Sequence, residues 1–393
     1  MKNISKKTGF VLLLLVAALF LGLVVGRKNQ PLEYYADKII EECKSFSYKQ
    51  DCYDENIPLL MKTLSMEEVF EVTGQVQSRT PEYTYCHVLG HEVAAIETKK
   101  DPSKWKDVIG RCPRGVCSNG CVHGAFQERF RKEFVQSEAE MRELEAELVD
   151  VCEERDGFNP TGLERSSCYH ALGHLLMYTT GADTSKAIGV CERVAQKESG
   201  DFTPVCYDGV FMQLFQPLGE EDEELIKGKV PFKKDVKAFC DEYAGAVKAS
   251  CWTESWPLFF DEIITPTGAM EFCDNLAGEA RNLCFGDIFY IIPIQFRFKT
   301  NAIYSYCSRL PDELGKNCIR ATALRLVEID KSNNKRAVDF CNNAPVANAA
   351  CLEVLSSQAA DIFHPGSAEY KELCSLLPIG CESLKNLCVW GKD

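Results

Sequence analysis

Positive charge is scarce in this chain of 393 residues. Lys and Arg total 44 against 58 Asp and Glu, a formal net charge of −14. Nucleic-acid binding needs a basic face, so that class is excluded. Docking of the body on anionic lipid is excluded for the same reason. Familiar catalytic signatures are missing too: there is no H-E-x-x-H, no G-x-S-x-G elbow and no glycine-rich phosphate loop. Histidine is rare, at six residues. No C-x-x-C occurs, and the nearest approach, Cys117-Ser-Asn-Gly-Cys121, is one residue too long. Zinc-ribbon and iron–sulfur sites are thereby set aside. Polarity nowhere alternates with period two for long enough to make a strand, which leaves an all-α chain.

What is abundant is cysteine, with 21 residues. That number belongs to an oxidising compartment. The N-terminus agrees. Lys2, Lys6 and Lys7 precede an apolar run from Phe10 to Gly26, followed by Arg27 and Lys28, and no small-x-small cleavage site closes the run. Residues 1–29 are expected to be a cytoplasmic tip and an uncleaved signal-anchor helix. The protein is then single-pass in the cell membrane, which it meets through that helix, with its body on the extracytoplasmic side.

The cysteines carry a repeat. Cys240, Cys273, Cys307, Cys341 and Cys374 recur every 33 or 34 residues, each after a bulky residue (Phe239, Phe272, Tyr306, Phe340, Leu373). Cys251, Cys284, Cys318 and Cys351 follow the first four members 10 or 11 residues behind, with Gly245, Gly278, Pro311 with Gly315, and Pro345 in between. Eleven residues of unbroken helix would part the sulfurs by about 16 Å, whereas a disulfide needs Cα atoms within about 7 Å. The chain must therefore turn, and each pair staples one αα-hairpin. This period is that of a two-helix repeat, so a solenoid-like array is expected over 235–393. Its surface would suit a protein partner.

Looser versions of the pattern lie upstream. Cys152 with Cys168 and Cys191 with Cys206 are longer, whereas Cys43 with Cys52 and Cys112 with Cys121 are shorter. That leaves Cys86 to pair with Cys117. In the tail, Cys374, Cys381 and Cys388 compete, and Cys374–Cys388 is the expectation. The charged stretch 218–234 is the expected boundary between a His- and Cys-rich region, 30–217, and the array. Ser65 with Glu68 and Ser137 with Glu140 predict capping boxes. Thr80-Pro81 and Asp101-Pro102 predict helix starts. The stapled hairpins resemble, in architecture and over the C-terminal half, the disulfide-bearing helical repeats of Sel1-like cysteine-rich proteins.

Five of the six histidines fall in a duplicated frame. Cys86-His87-Val-Leu-Gly90-His91 is matched by Cys168-Tyr-His170-Ala-Leu-Gly173-His174, both containing H-x-L-G-H. Each has a follower, Cys121-Val-His123-Gly124-Ala-Phe126 and Cys206-Tyr-Asp208-Gly209-Val-Phe211, at offsets of 36 and 38 from the first His to His123 or Asp208. Histidines at i and i+4 share one helical face. A third ligand from a neighbouring helix leaves an open coordination position, as in catalytic zinc sites. His87, His91, His123, His170, His174 and Asp208 are therefore the candidate metal ligands, with Asp208 able to bridge two ions. Zinc is the first choice, copper or iron the alternatives. Covalent haem is set aside because Cys117-x3-Cys121-x-His123 misses C-x-x-C-H. Glu92 follows His91 but points about 100° away and is expected to be an exposed charge. His364-Pro365 is expected at the surface.

Two functional expectations follow. The first is a membrane-anchored extracytoplasmic metal-binding protein, with metalloenzyme chemistry at a mono- or dinuclear His/Asp site. The other is a non-catalytic helical-repeat scaffold whose histidines only pack.

Overall fold

The computed structural model describes residues 30–381, apart from 81, 82, 84, 114, 131–133, 136, 218, 219 and 379. The anchor expected at 1–29 lies outside them, and among the described residues no helix is long and apolar enough to cross a membrane. The chain divides into two units, Met1–Tyr83 and Thr84–Asp393.

In the first unit, α1 (Leu32–Cys43), α2 (Lys49–Asn56) and α3 (Met66–Arg79) follow one another. Cys43–Cys52 staples α1 to α2. Ser65 and Glu68 form the expected capping box at the start of α3, which buries Met66, Val69, Val72 and Val76. Thr80 ends α3 as its C-cap, and Pro81, the expected first helical position after it, lies outside the described residues.

The second unit begins with α4 (His87–Lys100), α5 (Trp105–Arg111), α6 (Gly120–Phe130) and α7 (Glu138–Leu148). Asp101 caps the short 3-10 turn Pro102–Lys104 ahead of α5, and Ser137 with Glu140 boxes the start of α7. Next come α8 (Gly162–Thr179), α9 (Thr184–Val194) and α10 (Thr203–Phe215). The box Thr161–Glu164 opens α8. A two-residue hairpin, Gln196–Lys197 with Gly200–Asp201, links α9 to α10. The charged stretch 218–234 carries α11 (Glu220–Ile226).

The rear follows the cysteine period. The helices α12 (Val236–Cys240), α15 (Pro266–Cys273), α17 (Thr300–Cys307) and α19 (Asn334–Asn342) end at or next to the first cysteine of each pair, and α14 (Phe260–Ile263) intervenes before α15. The second cysteine lies inside the partner helix of each hairpin: α13 (Gly245–Glu254), α16 (Gly278–Gln295), α18 (Asp312–Ile329) and α20 (Asn348–Ile362). Gly245 and Gly278 make the first two turns at φ +56° and +59°, a region that favours glycine. The bridges Cys240–Cys251, Cys273–Cys284, Cys307–Cys318 and Cys341–Cys351 hold Cα atoms 5.4–5.6 Å apart.

The front pairs also form as expected: Cys86–Cys117, Cys112–Cys121, Cys152–Cys168 and Cys191–Cys206. The tail differs. Cys374, on α21 (Ala368–Leu376), bonds Cys381 rather than Cys388. The turn after Leu377, through Gly380 at φ +69°, brings the nearer thiol round first; Cys388 lies outside the described residues.

The hairpins do not run on as an open stack. Within the second unit α8 packs on α10, α10 on α13, α13 on α16, α16 on α18 and α18 on α20, and α20 then packs back on α8. His364, expected at the surface, is part-buried against Glu164 at 3.6 Å, where α20 meets the start of α8. The Lys331 amide donates to the Gly115 carbonyl at 3.1 Å, a second tie between rear and front. The inner helices thus form a closed ring.

Candidate metal centre

The H-x-L-G-H segments lie on α4 and α8, and their followers lie on α6 and α10. Each segment packs closely against its own follower. Glycine permits this: a Cβ on Gly124 would run into the His91 carbonyl oxygen, and one on Gly209 into that of His170. The duplicated glycines therefore bring each imidazole pair up to the neighbouring helix.

The turn before α6 is strained. Cys117, Ser118 and Asn119 have φ of 51°, 49° and 59°, three successive non-glycine residues in the left-handed region. Each costs about 1–2 kcal/mol. Cys86–Cys117 and Cys112–Cys121 hold the turn in place. It aims the Ser118 carbonyl at His87 Nδ1, 3.1 Å away.

The five histidines make one cluster. His87 Nε2 is 3.0 Å from His91 Nε2, and His170 Nε2 is 3.2 Å from His174 Nε2. His123 stands between the pairs, its ring centre 4.8 and 4.9 Å from the first pair and 5.6 and 5.2 Å from the second. His87, His91 and His123 bring three ring nitrogens within 4.8 Å of one another, all buried, and this trio could hold a metal ion.

The outer nitrogens define the tautomers. A backbone carbonyl only accepts, so His87 Nδ1 donates to Ser118. His91 Nδ1 donates to Gln127 Oε1 at 3.0 Å, and His174 Nδ1 to Gln213 Oε1 at 2.8 Å. Val205 backbone holds His170, whose Nε2 also lies 3.3 Å from Met212 Sδ. An outer nitrogen that donates leaves the inner Nε2 with a lone pair, the orientation seen in metal-bound imidazole. Burial, then the neighbouring imidazoles, lowers His87 to about 3 and His170 to about 3. Burial lowers His174 to about 4. His91 and His123 are pushed well below the usual histidine value, by burial first and then by His87. The rings are neutral, as ligation requires. Buried His123 Nδ1 has no hydrogen-bond partner.

Asp208 is placed differently from its sequence counterpart His123. It is hydrogen-bonded to Ser250 and stands with Glu254 and Asp287. Burial pushes Asp208 up to about 6. Glu254 and Asp287 are raised further, by burial first and then by the Asp208 charge. Glu92 is exposed, as expected. Ser118, Gln127 and Gln213 were not singled out from sequence. The one available signal was that Gln127 follows His123 by four residues and Gln213 follows Asp208 by five.

No family model matches this chain, nor does any curated protein or solved structure.

Proposed function

We propose that the protein is a membrane-anchored, extracytoplasmic metal-binding protein whose ion is held by His87, His91 and His123, with His170 and His174 beside them as ligands of an adjacent ion. One observation carries this. Two neutral imidazoles whose outer nitrogens both donate present lone pairs to each other at 3.0 Å. Facing lone pairs repel unless a cation lies between or beside them. The donor set is all imidazole, which suits zinc first and copper or iron next. Three protein ligands leave a coordination position for water, so hydrolytic chemistry through a metal-bound hydroxide is open to this site. The cysteines and the apolar run Phe10 to Gly26 support the anchored, exported location.

A structural core competes with this. If the Gln127 and Gln213 amides were turned over, each Nε2 pair would become an ordinary N–H···N hydrogen bond. Elemental analysis of the full-length chain, purified in detergent from an oxidising compartment, decides. Stoichiometric metal that falls in His87→Ala/His170→Ala supports the metal centre. Metal-free protein that melts cooperatively supports the scaffold.

A further inference from the structure

One of the five imidazoles is unlike the rest. His87, His91 and His174 each commit Nδ1 to a protein acceptor, on Ser118, Gln127 and Gln213. The Val205 backbone holds His170. His123 is only 4% exposed, yet its Nδ1 has no hydrogen-bond partner. A buried ring nitrogen in that state has lost its water, and nothing in the chain makes up the loss.

His123 also belongs to two triangles of rings. With His87 and His91 it makes one whose ring centres are 4.6, 4.8 and 4.9 Å apart. With His170 and His174 it makes a second, with ring centres 5.0, 5.6 and 5.2 Å apart. Imidazoles on one tetrahedral ion, at metal–nitrogen bonds of about 2.0–2.1 Å, have ring centres roughly 5 Å apart. Both triangles have that size. The inner nitrogens agree: two ligand atoms of such an ion lie about 3.3 Å apart, and the Nε2 atoms stand at 3.0 Å in the first pair and 3.2 Å in the second. The duplication explains why one ring serves twice. The second frame has Asp208 where the first has His123, and Asp208 is taken up by Ser250, beside Glu254 and Asp287. The second pair therefore has no follower ligand of its own, and His123 stands in its place.

We infer that His123 bridges two metal ions, one ring nitrogen completing the His87–His91 site and the other completing the His170–His174 site. This rests on the metal-binding function proposed above. A bridging imidazole gives up its remaining N–H: the second ion takes that lone pair, and the proton passes to solvent. The two ions are then joined through a single aromatic ring. Met212 Sδ, 3.3 Å from His170 Nε2, is placed as a further donor to the second ion. A thioether makes that donor set softer than the first, and suited to copper.

The test uses full-length protein in detergent, stripped with chelator, titrated with copper(II) and followed by electron paramagnetic resonance. Two coppers per chain are expected. The second should abolish most of the signal given by the first, because a shared imidazolate couples their spins. Acid unfolding of the same sample under nitrogen separates the ions and should restore the intensity of both. Signal that acid does not restore was lost to reduction rather than coupling, and counts against the bridge. His123→Gln keeps a donor but has no ring to share, so it should show no such loss at any copper loading. Two coppers with the full intensity of independent spins overturn the inference and leave the metal centre standing. So does a single copper per chain, or a loss in His123→Gln equal to that of wild type. Protein that takes up no copper removes the metal centre itself, and this inference with it. Should the variant not fold, the wild-type titration decides: a loss restored by acid supports the bridge, and full intensity overturns it.

Discussion

His87 and His91 stand one helical turn apart with their Nε2 atoms 3.0 Å from each other, while Ser118 and Gln127 hold the two opposite nitrogens. The ligand atoms are thus aimed before any ion arrives, and little side-chain freedom is lost on binding.

Metal should therefore stabilise the folded chain by mass action. At free metal 100-fold above Kd the gain is about 2.7 kcal/mol. Chelation should lower the melting temperature and added zinc should restore it. In His91→Ala that zinc-dependent shift should vanish, and differential scanning calorimetry on both proteins checks it.

Gly124 abuts the His91 carbonyl, so Gly124→Ala must push α6 away from α4. The expected cost is about 1–3 kcal/mol, together with weaker metal binding. Gly286 on α16 has open space around it. Gly286→Ala should instead stabilise by about 0.5–1 kcal/mol, through helix propensity alone. Denaturant melts of the two variants should move in opposite directions.

The carboxyls of Asp208, Glu254 and Asp287 have a definite pH signature. Asp208 is raised in the folded chain to about 6, from 3.8. A raised pKa contributes stability that is complete below the unfolded value and is lost as pH climbs through about 6. Asp287→Asn removes one of the three carboxyls that burial and mutual repulsion hold against ionising. It should stabilise the fold at pH 7.5 by on the order of 1–3 kcal/mol, seen as a higher melting temperature, and the gain should shrink towards pH 4.5. Parallel melts of variant and wild type at the two pH values show the sign.

Two disulfides should differ in effect. Cys86–Cys117 spans 31 residues and Cys307–Cys318 spans 11. On loop entropy they are worth about 4 and about 3 kcal/mol. Only the first fixes the turn that presents the Ser118 carbonyl. Replacing each pair with serine should weaken metal binding far more for Cys86 and Cys117 than the small stability difference implies. Competition with a chromogenic chelator measures it. Non-reducing peptide mapping should also recover Cys374 joined to Cys381.

The stapled hairpins were legible in the sequence because a disulfide imposes a short distance on a countable spacing. The histidine frame was legible because it is written twice. Ring closure was not: the contact of α20 with α8 joins distant segments, and no local pattern encodes it. Asp208 misled because aligned positions in a duplication need not face the same neighbours. On α10 that position meets Ser250 of α13, whereas on α6 it meets the imidazoles.

Closure of α20 onto α8 fixes how many units this protein can have. An open stack tolerates gain or loss of a unit, because each unit touches only its neighbours. In a ring, deleting one hairpin opens a gap, and inserting one leaves no room for the last to meet the first. The rear hairpins bear no histidine on their inner helices, yet their number sets the circumference of the ring whose α8 carries the second histidine pair and, through α6, supports the first. A change of repeat number far from the centre would therefore disturb it as surely as a change of ligand.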